Sequence, residues 1–210
     1  MSVLPTSRRP SAGRRLLAVL DTWPVTWFVL ALPALPVLRA IATGEHYVPQ
    51  LLFETGVASA KLTVAALAVT PLSRLLGPVG PVRFLRRRRR AIGVSAFAYA
   101  ALHTLVWAAH IGDWQEIALL AFEPLYLSGW IGLLVLGGLA AISNEPARRR
   151  LGARWKRWQR AAHLALAAIV LHWLIVGQFL HHLWPWLAPL LAIQAWRVLG
   201  SGTRTGGRTT

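Results

Sequence analysis

The 210-residue chain has no cysteine, and Met1 is its only methionine. Disulfides, thiolate-bound iron and redox thiols are thereby excluded, and no thioether is on hand inside a bilayer as an axial metal ligand. Acidic residues are scarce as well: seven Asp and Glu stand against 23 Lys and Arg, for a formal charge of +16. No Gly-rich nucleotide fingerprint follows a predicted strand, and no Ser/His/Asp set or carboxylate pair is spaced for hydrolytic chemistry. Any metal chemistry must rest on histidine, carboxylate or backbone oxygen.

What the chain has in abundance is apolar sequence. Hydrophobic residues make up 55% and charged residues only 14%, a balance that suits lipid better than water as solvent. A helix needs about 20 apolar residues to cross a hydrocarbon core about 30 Å thick. Six stretches qualify: 23–41, 57–75, 92–111, 124–142, 161–179 and 183–199. The expectation is an all-α, polytopic membrane bundle of about six helices, with a basic segment 1–22 before it, the bundle over 23–199 and a disordered tail over 200–210.

The connections carry nearly all of the charge, and its sign alternates from one to the next. Arg8, Arg9, Arg14 and Arg15 precede the first stretch, Arg83 and Arg86 to Arg90 the third, and Arg148 to Arg160 the fifth; Glu45, Glu54, Asp113, Glu116 and Glu123 occupy the others. This bias predicts that both termini and the basic connections are cytoplasmic. It also accounts for the basic charge through anionic membrane lipid, with no nucleic acid partner. Ser7-Arg8-Arg9 is similar to a twin-arginine signal, but Pro10 and Ser11 follow it, and an uncleaved anchor is the better reading.

A polar side chain inside a span is costly, so it usually faces a partner, a cavity or a ligand. His103 is expected in the middle of the third span and His172 in the middle of the fifth, at similar depth. Two readings are open. Each imidazole makes a hydrogen bond across the bundle, or the two serve as axial ligands of a b-type haem between the helices. Matched depth on separate helices favours haem. His163 lies nine residues before His172, roughly 13 Å away and on about the opposite helix face, so it cannot share that haem. A hydrogen bond in the core is expected for it, with a second haem as the alternative. His46, His110, His181 and His182 fall near the outer face. Trp23, Trp27, Trp155 and Trp158 are expected at the inner interface and Trp114, Trp184 and Trp186 at the outer. Trp173 adjoins His172 and is expected against the cofactor, and Gly93 at a close approach. No convincing internal repeat is visible between the halves.

Thr55-Gly56 with Lys61, Thr70-Pro71-Leu72 with Arg74, the basic run leading to Gly93, Phe97-Ala98-Tyr99-Ala100, Leu102-His103, Leu151-Gly152, Arg154-Trp155 and His172 occur in an order that resembles the ferric-reductase-like transmembrane family. The resemblance runs from about Phe53 to Leu174. It is closest to that family's bacterial haem-binding subunits of periplasmic methionine sulfoxide reductase systems. The resemblance implies an inner-membrane electron-transfer subunit with haem b and FMN. Such a subunit passes electrons from the quinone pool to a periplasmic molybdenum-containing catalytic subunit, which repairs oxidised methionine in proteins. His103 and His172 match the family's haem-ligand positions. The family commonly has a further histidine four residues after the tryptophan of Leu-Gly-x-Arg-Trp, where this chain has Gln159. His163 as a stand-in ligand, a single haem, and Arg89 and Gln159 around a propionate or the flavin are the alternatives. A ferric or other metal reductase, and a transporter or assembly subunit without redox function, are the competing readings.

Overall fold

The structure, a computed structural model, describes residues 22–44, 47–77, 79–177 and 184–202, with side chains of the last helix as far as 195. Among the described residues the regular structure is entirely helical. In chain order the α-helices are α1 Trp23–Ala31, α2 Ala34–Thr43, α3 Val48–Leu75, α4 Gly80–Ile111, α5 Trp114–Leu120, α6 Pro124–Ala141, α7 Glu145–Leu151, α8 Ala153–Trp158, α9 Ala162–Ile175 and α10 Trp184–Gly202; a 3-10 turn, Gln159–Ala161, joins α8 to α9. Proline in the first turn starts α3, α4 and α6, where its missing N–H would have been unpaired in any case. Asp113 and Asn144 cap α5 and α7 through side-chain oxygens that accept from Gln115 N and Ala147 N, each at 2.8 Å.

By length and composition α3, α4 and α6 can each cross a membrane, and α1 with α2 makes a fourth if that pair, bent by 54°, is one span. The chain is thus an all-α membrane bundle. Of the other two expected spans, α9 has 14 residues, about 21 Å at 1.5 Å per residue, and α10 has 19. The first expected span is broken at Leu32-Pro33, because Pro33 has no N–H to continue the ladder. α10 runs on to Gly202, into what was expected to be the tail; residues 1–21, Glu45, His46, His181, His182, Arg204 and Arg208 lie outside the described residues.

The basic run is not a loop. Arg83 and Arg86 to Arg90 ride on the first turns of α4, since arginine is a good helix former and its long stem can lie along apolar surface. The Arg88 guanidinium packs over the Trp23 ring, 4.8 Å from its centroid. Arg89 Nε donates to the Ala66 carbonyl of α3 at 2.9 Å.

α3 and α4 form one antiparallel hairpin, α6 and α9 another, and α4 packs antiparallel on α6, with Phe97 against Gly137 and Trp107 against Tyr126. Arg74, the α4 arginines and the α7–α8 arginines therefore gather at one end of the bundle, while Glu54, Asp113, Glu116 and Glu123 gather at the other. Between them, Ala60, Val64, Leu67, Trp173 and Leu187 bind α3, α9 and α10 into one core, and Val37, Leu51 and Val106 join α2, α3 and α4. Small residues let the helix axes approach: Ala60, Ala91, Ala96 and Ala165 are fully buried. Ser59 Oγ donates to the Ala96 carbonyl across the first hairpin at 2.9 Å, and Tyr99 Oη to the Leu30 carbonyl of α1 at 2.9 Å.

Candidate functional site

The antiparallel hairpins bring the last third of α4 and the last turns of α9 against the first turns of α3 and α6. His103 and His172 meet there, ring centroids 6.3 Å apart and planes at 89°. The matched depth expected from sequence holds, but the position is not the middle of either helix. His103 lies eight residues before the end of α4 and His172 three before the end of α9, so the pair sits toward the acidic end of the bundle.

Each ring is fixed from behind by the neighbouring helix. His103 Nδ1 lies 2.9 Å from the Leu52 carbonyl and His172 Nδ1 2.9 Å from the Leu125 carbonyl. A carbonyl only accepts, so each Nδ1 carries the hydrogen and donates it, which leaves Nε2 with a free lone pair. A hydroxyl stands beside each contact, Thr55 Oγ1 at 3.3 Å from His103 Nδ1 and Ser128 Oγ at 3.3 Å from His172 Nδ1. Glycine makes room for both rings: a Cβ on Gly56 would lie 3.3 Å from His103 Nδ1, and one on Gly129 3.2 Å from the His172 ring.

In front of the rings lies a cavity of about 370 Å³, walled by Phe53, Trp107, Tyr126, Trp130 and Trp173 as well as the two histidines. Its chemistry is that of an apolar, aromatic slot with two imidazoles. A metal–imidazole bond is about 2.0–2.1 Å and the ring centre lies about 1.1 Å further on, so two imidazoles sharing one metal have centroids no more than about 6.2–6.4 Å apart. The observed 6.3 Å fits. Among the described residues no group of three His, Asp or Glu side chains converges, and the two imidazoles are the nitrogen donors on this cavity wall. An iron whose other four ligands come from a flat apolar macrocycle meets that donor set, and the cavity wall suits such a ring.

The remaining sequence candidates are elsewhere. His163 is exposed on the first turn of α9, and its Nδ1 donates to the Arg160 carbonyl of the same turn at 3.0 Å. The core hydrogen bond expected for it is therefore a local surface one, because the helix turns that side chain away from α6. Gln159 Nε2 donates to Ser143 Oγ at 3.4 Å, and Arg89 is spent on Ala66; none of the three lines the cavity. Nothing would meet a Cβ on Gly93 within 4 Å, so the expected close approach is made by Gly56 and Gly129 instead. Trp173 is buried on the cavity wall against Phe53. Sequence reasoning missed Thr55, Ser128, both glycines and the two carbonyls as supports. The signal was present: Leu52-Phe53-Glu54-Thr55-Gly56 and Leu125-Tyr126-Leu127-Ser128-Gly129 are two copies of one pattern, a short repeat where none had been expected.

Comparison with known proteins gives the family. Residues 55–174 match the model of the family described as ferric reductase like transmembrane component. The chain is 31% identical over 177 residues, 80% of each protein, to the protein-methionine-sulfoxide reductase heme-binding subunit MsrQ of Caulobacter vibrioides. No solved structure matches it. The matched segment begins within α3 at Thr55, takes in α6 and ends two residues after His172, and the chain belongs to the ferric reductase like transmembrane component family, as a protein of MsrQ type.

Proposed function

We propose that this chain is the haem b-carrying electron-transfer subunit of a bacterial inner-membrane methionine sulfoxide reductase system. Its electrons come from the quinone pool and go to a periplasmic, molybdenum-containing catalytic subunit that repairs oxidised proteins. The observation that carries the reading is the His103–His172 pair, 6.3 Å between centroids with each Nδ1 committed to a carbonyl. A bound haem supplies a one-electron iron(III)/iron(II) couple.

The chain's own residues do the rest. His103 and His172 would hold the haem iron through Nε2, and the Leu52 and Leu125 carbonyls hold the rings and raise their basicity. The aromatic wall gives the cavity a largely apolar lining. The Lys/Arg bias places the arginine-rich end in the cytoplasm, which puts the pair in the periplasmic half of the bilayer, next to the catalytic partner. FMN and quinone belong to this reading through the family resemblance, as does the partner's molybdenum.

The test is the visible spectrum and the haem and flavin content of the purified protein in detergent. A Soret band with split b-type features in its reduced form is expected, and it should disappear from His103→Ala and from His172→Ala while His163→Ala keeps it. A spectrum without the band, or one that survives both substitutions, would sink the reading.

A further inference from the structure

The two halves of the histidine pair are built alike in more ways than helix packing demands. The pattern Leu, aromatic, any residue, hydroxyl, Gly opens α3 as 52–56 and recurs at the start of α6 as 125–129. In each copy the carbonyl of the first residue accepts Nδ1–H at 2.9 Å. The hydroxyl of the fourth lies 3.3 Å from the same nitrogen; Ser128 donates to that carbonyl at 3.1 Å, whereas Thr55 shares its hydrogen between the Leu51 carbonyl at 2.7 Å and the Leu52 carbonyl at 3.2 Å, so its share in the competition for the histidine's acceptor is the smaller one. The fifth residue is the glycine against the ring.

The second residue of each copy crosses to the other hairpin. Phe53 packs on Trp173, centroids 6.3 Å apart at 39°, and Tyr126 on Trp107, 5.0 Å apart at 38°. Each copy thus holds the histidine of one hairpin and a tryptophan of the opposite one.

We infer that the two pentapeptides are matched positioning elements, in which the Thr55 and Ser128 hydroxyls set the orientation and basicity of His103 and His172. The inference rests on the haem reading above and deepens it. The physical basis is competition for one acceptor. A hydroxyl that donates to the Leu52 or Leu125 carbonyl takes up part of its lone-pair density and weakens its pull on Nδ1–H. Without the hydroxyl the imidazole hydrogen bond tightens, the ring becomes a stronger donor, and the oxidised iron is favoured. The hydroxyl oxygen, close to the same Nδ1, also limits rotation of the ring.

The experiment is redox titration of the haem, with low-temperature electron paramagnetic resonance of the oxidised form, in the full-length protein and its variants. Thr55→Val and Ser128→Ala should each lower the midpoint potential and alter the resonance, and the double variant should lower it further. Thr63→Val, the same change on α3 at a hydroxyl that bonds only to the Ser59 carbonyl, should titrate as wild type. Thr55→Ser and Ser128→Thr keep the hydroxyl and should restore the wild-type potential. If haem is lost from Thr55→Val and Ser128→Ala but retained by Thr63→Val, the inference is supported, since removing such supports commonly costs 10–100-fold in affinity. Unchanged titrations, a shift in only one half, or equal shifts in the hydroxyl-keeping variants would overturn it. Wild-type protein without haem would overturn the functional reading instead.

Discussion

At position 129 even a methyl group would stand 3.2 Å from the His172 ring, and a leucine would take the ring's place. Gly129→Leu is therefore expected to lose haem occupancy at least about tenfold, on the scale seen when groups orienting a metal ligand are disturbed. Gly93→Leu, on a turn of α4 with open space around it, should keep it; pyridine haemochrome per mole of folded protein reads both. His103 and His172 were legible from sequence because an imidazole among leucines inside a span is unusual and costly. Thr55 and Ser128 were not. A hydroxyl in a membrane helix commonly bonds its own preceding carbonyls, as Thr63 does, and nothing local separates that use from a second one toward a histidine 48 residues away. His163 misled for a related reason: sequence gives its depth, whereas the turn Gln159–Ala161 decides which way it faces.

The helices themselves were readable from apolar runs, but their ends were not. Lipid-length arithmetic stops a span where charge begins, whereas backbone hydrogen bonds do not, so α4 runs through six arginines ahead of its apolar stretch and α3 begins nine residues before its own. The break between α1 and α2 shows what a single bond can add at this scale. Pro33 interrupts the ladder, and Tyr99 on α4 supplies a donor to the Leu30 carbonyl just before the break. Tyr99→Phe removes that donor and keeps the ring, so it should cost about 0.6–1 kcal/mol, the range for a hydrogen bond between membrane helices. Detergent unfolding monitored by circular dichroism is the measurement, with Ser59→Ala, which removes the Ala96 contact across the first hairpin, expected to cost a similar amount.

For the molecule as a whole, the lack of cysteine is an experimental convenience, because any introduced thiol is the only one. Arg149 and Gln115 are exposed at opposite ends of the bundle. Arg149→Cys is expected to react with an impermeant maleimide only after cells are opened, and Gln115→Cys in intact spheroplasts; the reverse pattern would turn the bundle over.

The length of α4 carries a further consequence. From His103 it is eight residues, about 12 Å, to the Ile111 end, but 13 residues, about 20 Å, to Arg90, and among the described residues no second histidine pair bridges that longer interval. On the reading proposed above, a haem held by this pair would serve the leaflet at the acidic end of the bundle. A quinol giving up two electrons there would also release its two protons on that side, where reduction of a sulfoxide to a thioether and water consumes two. The exchange is electroneutral, so proteoliposomes turning over quinol and methionine sulfoxide with the partner subunit should build no membrane potential.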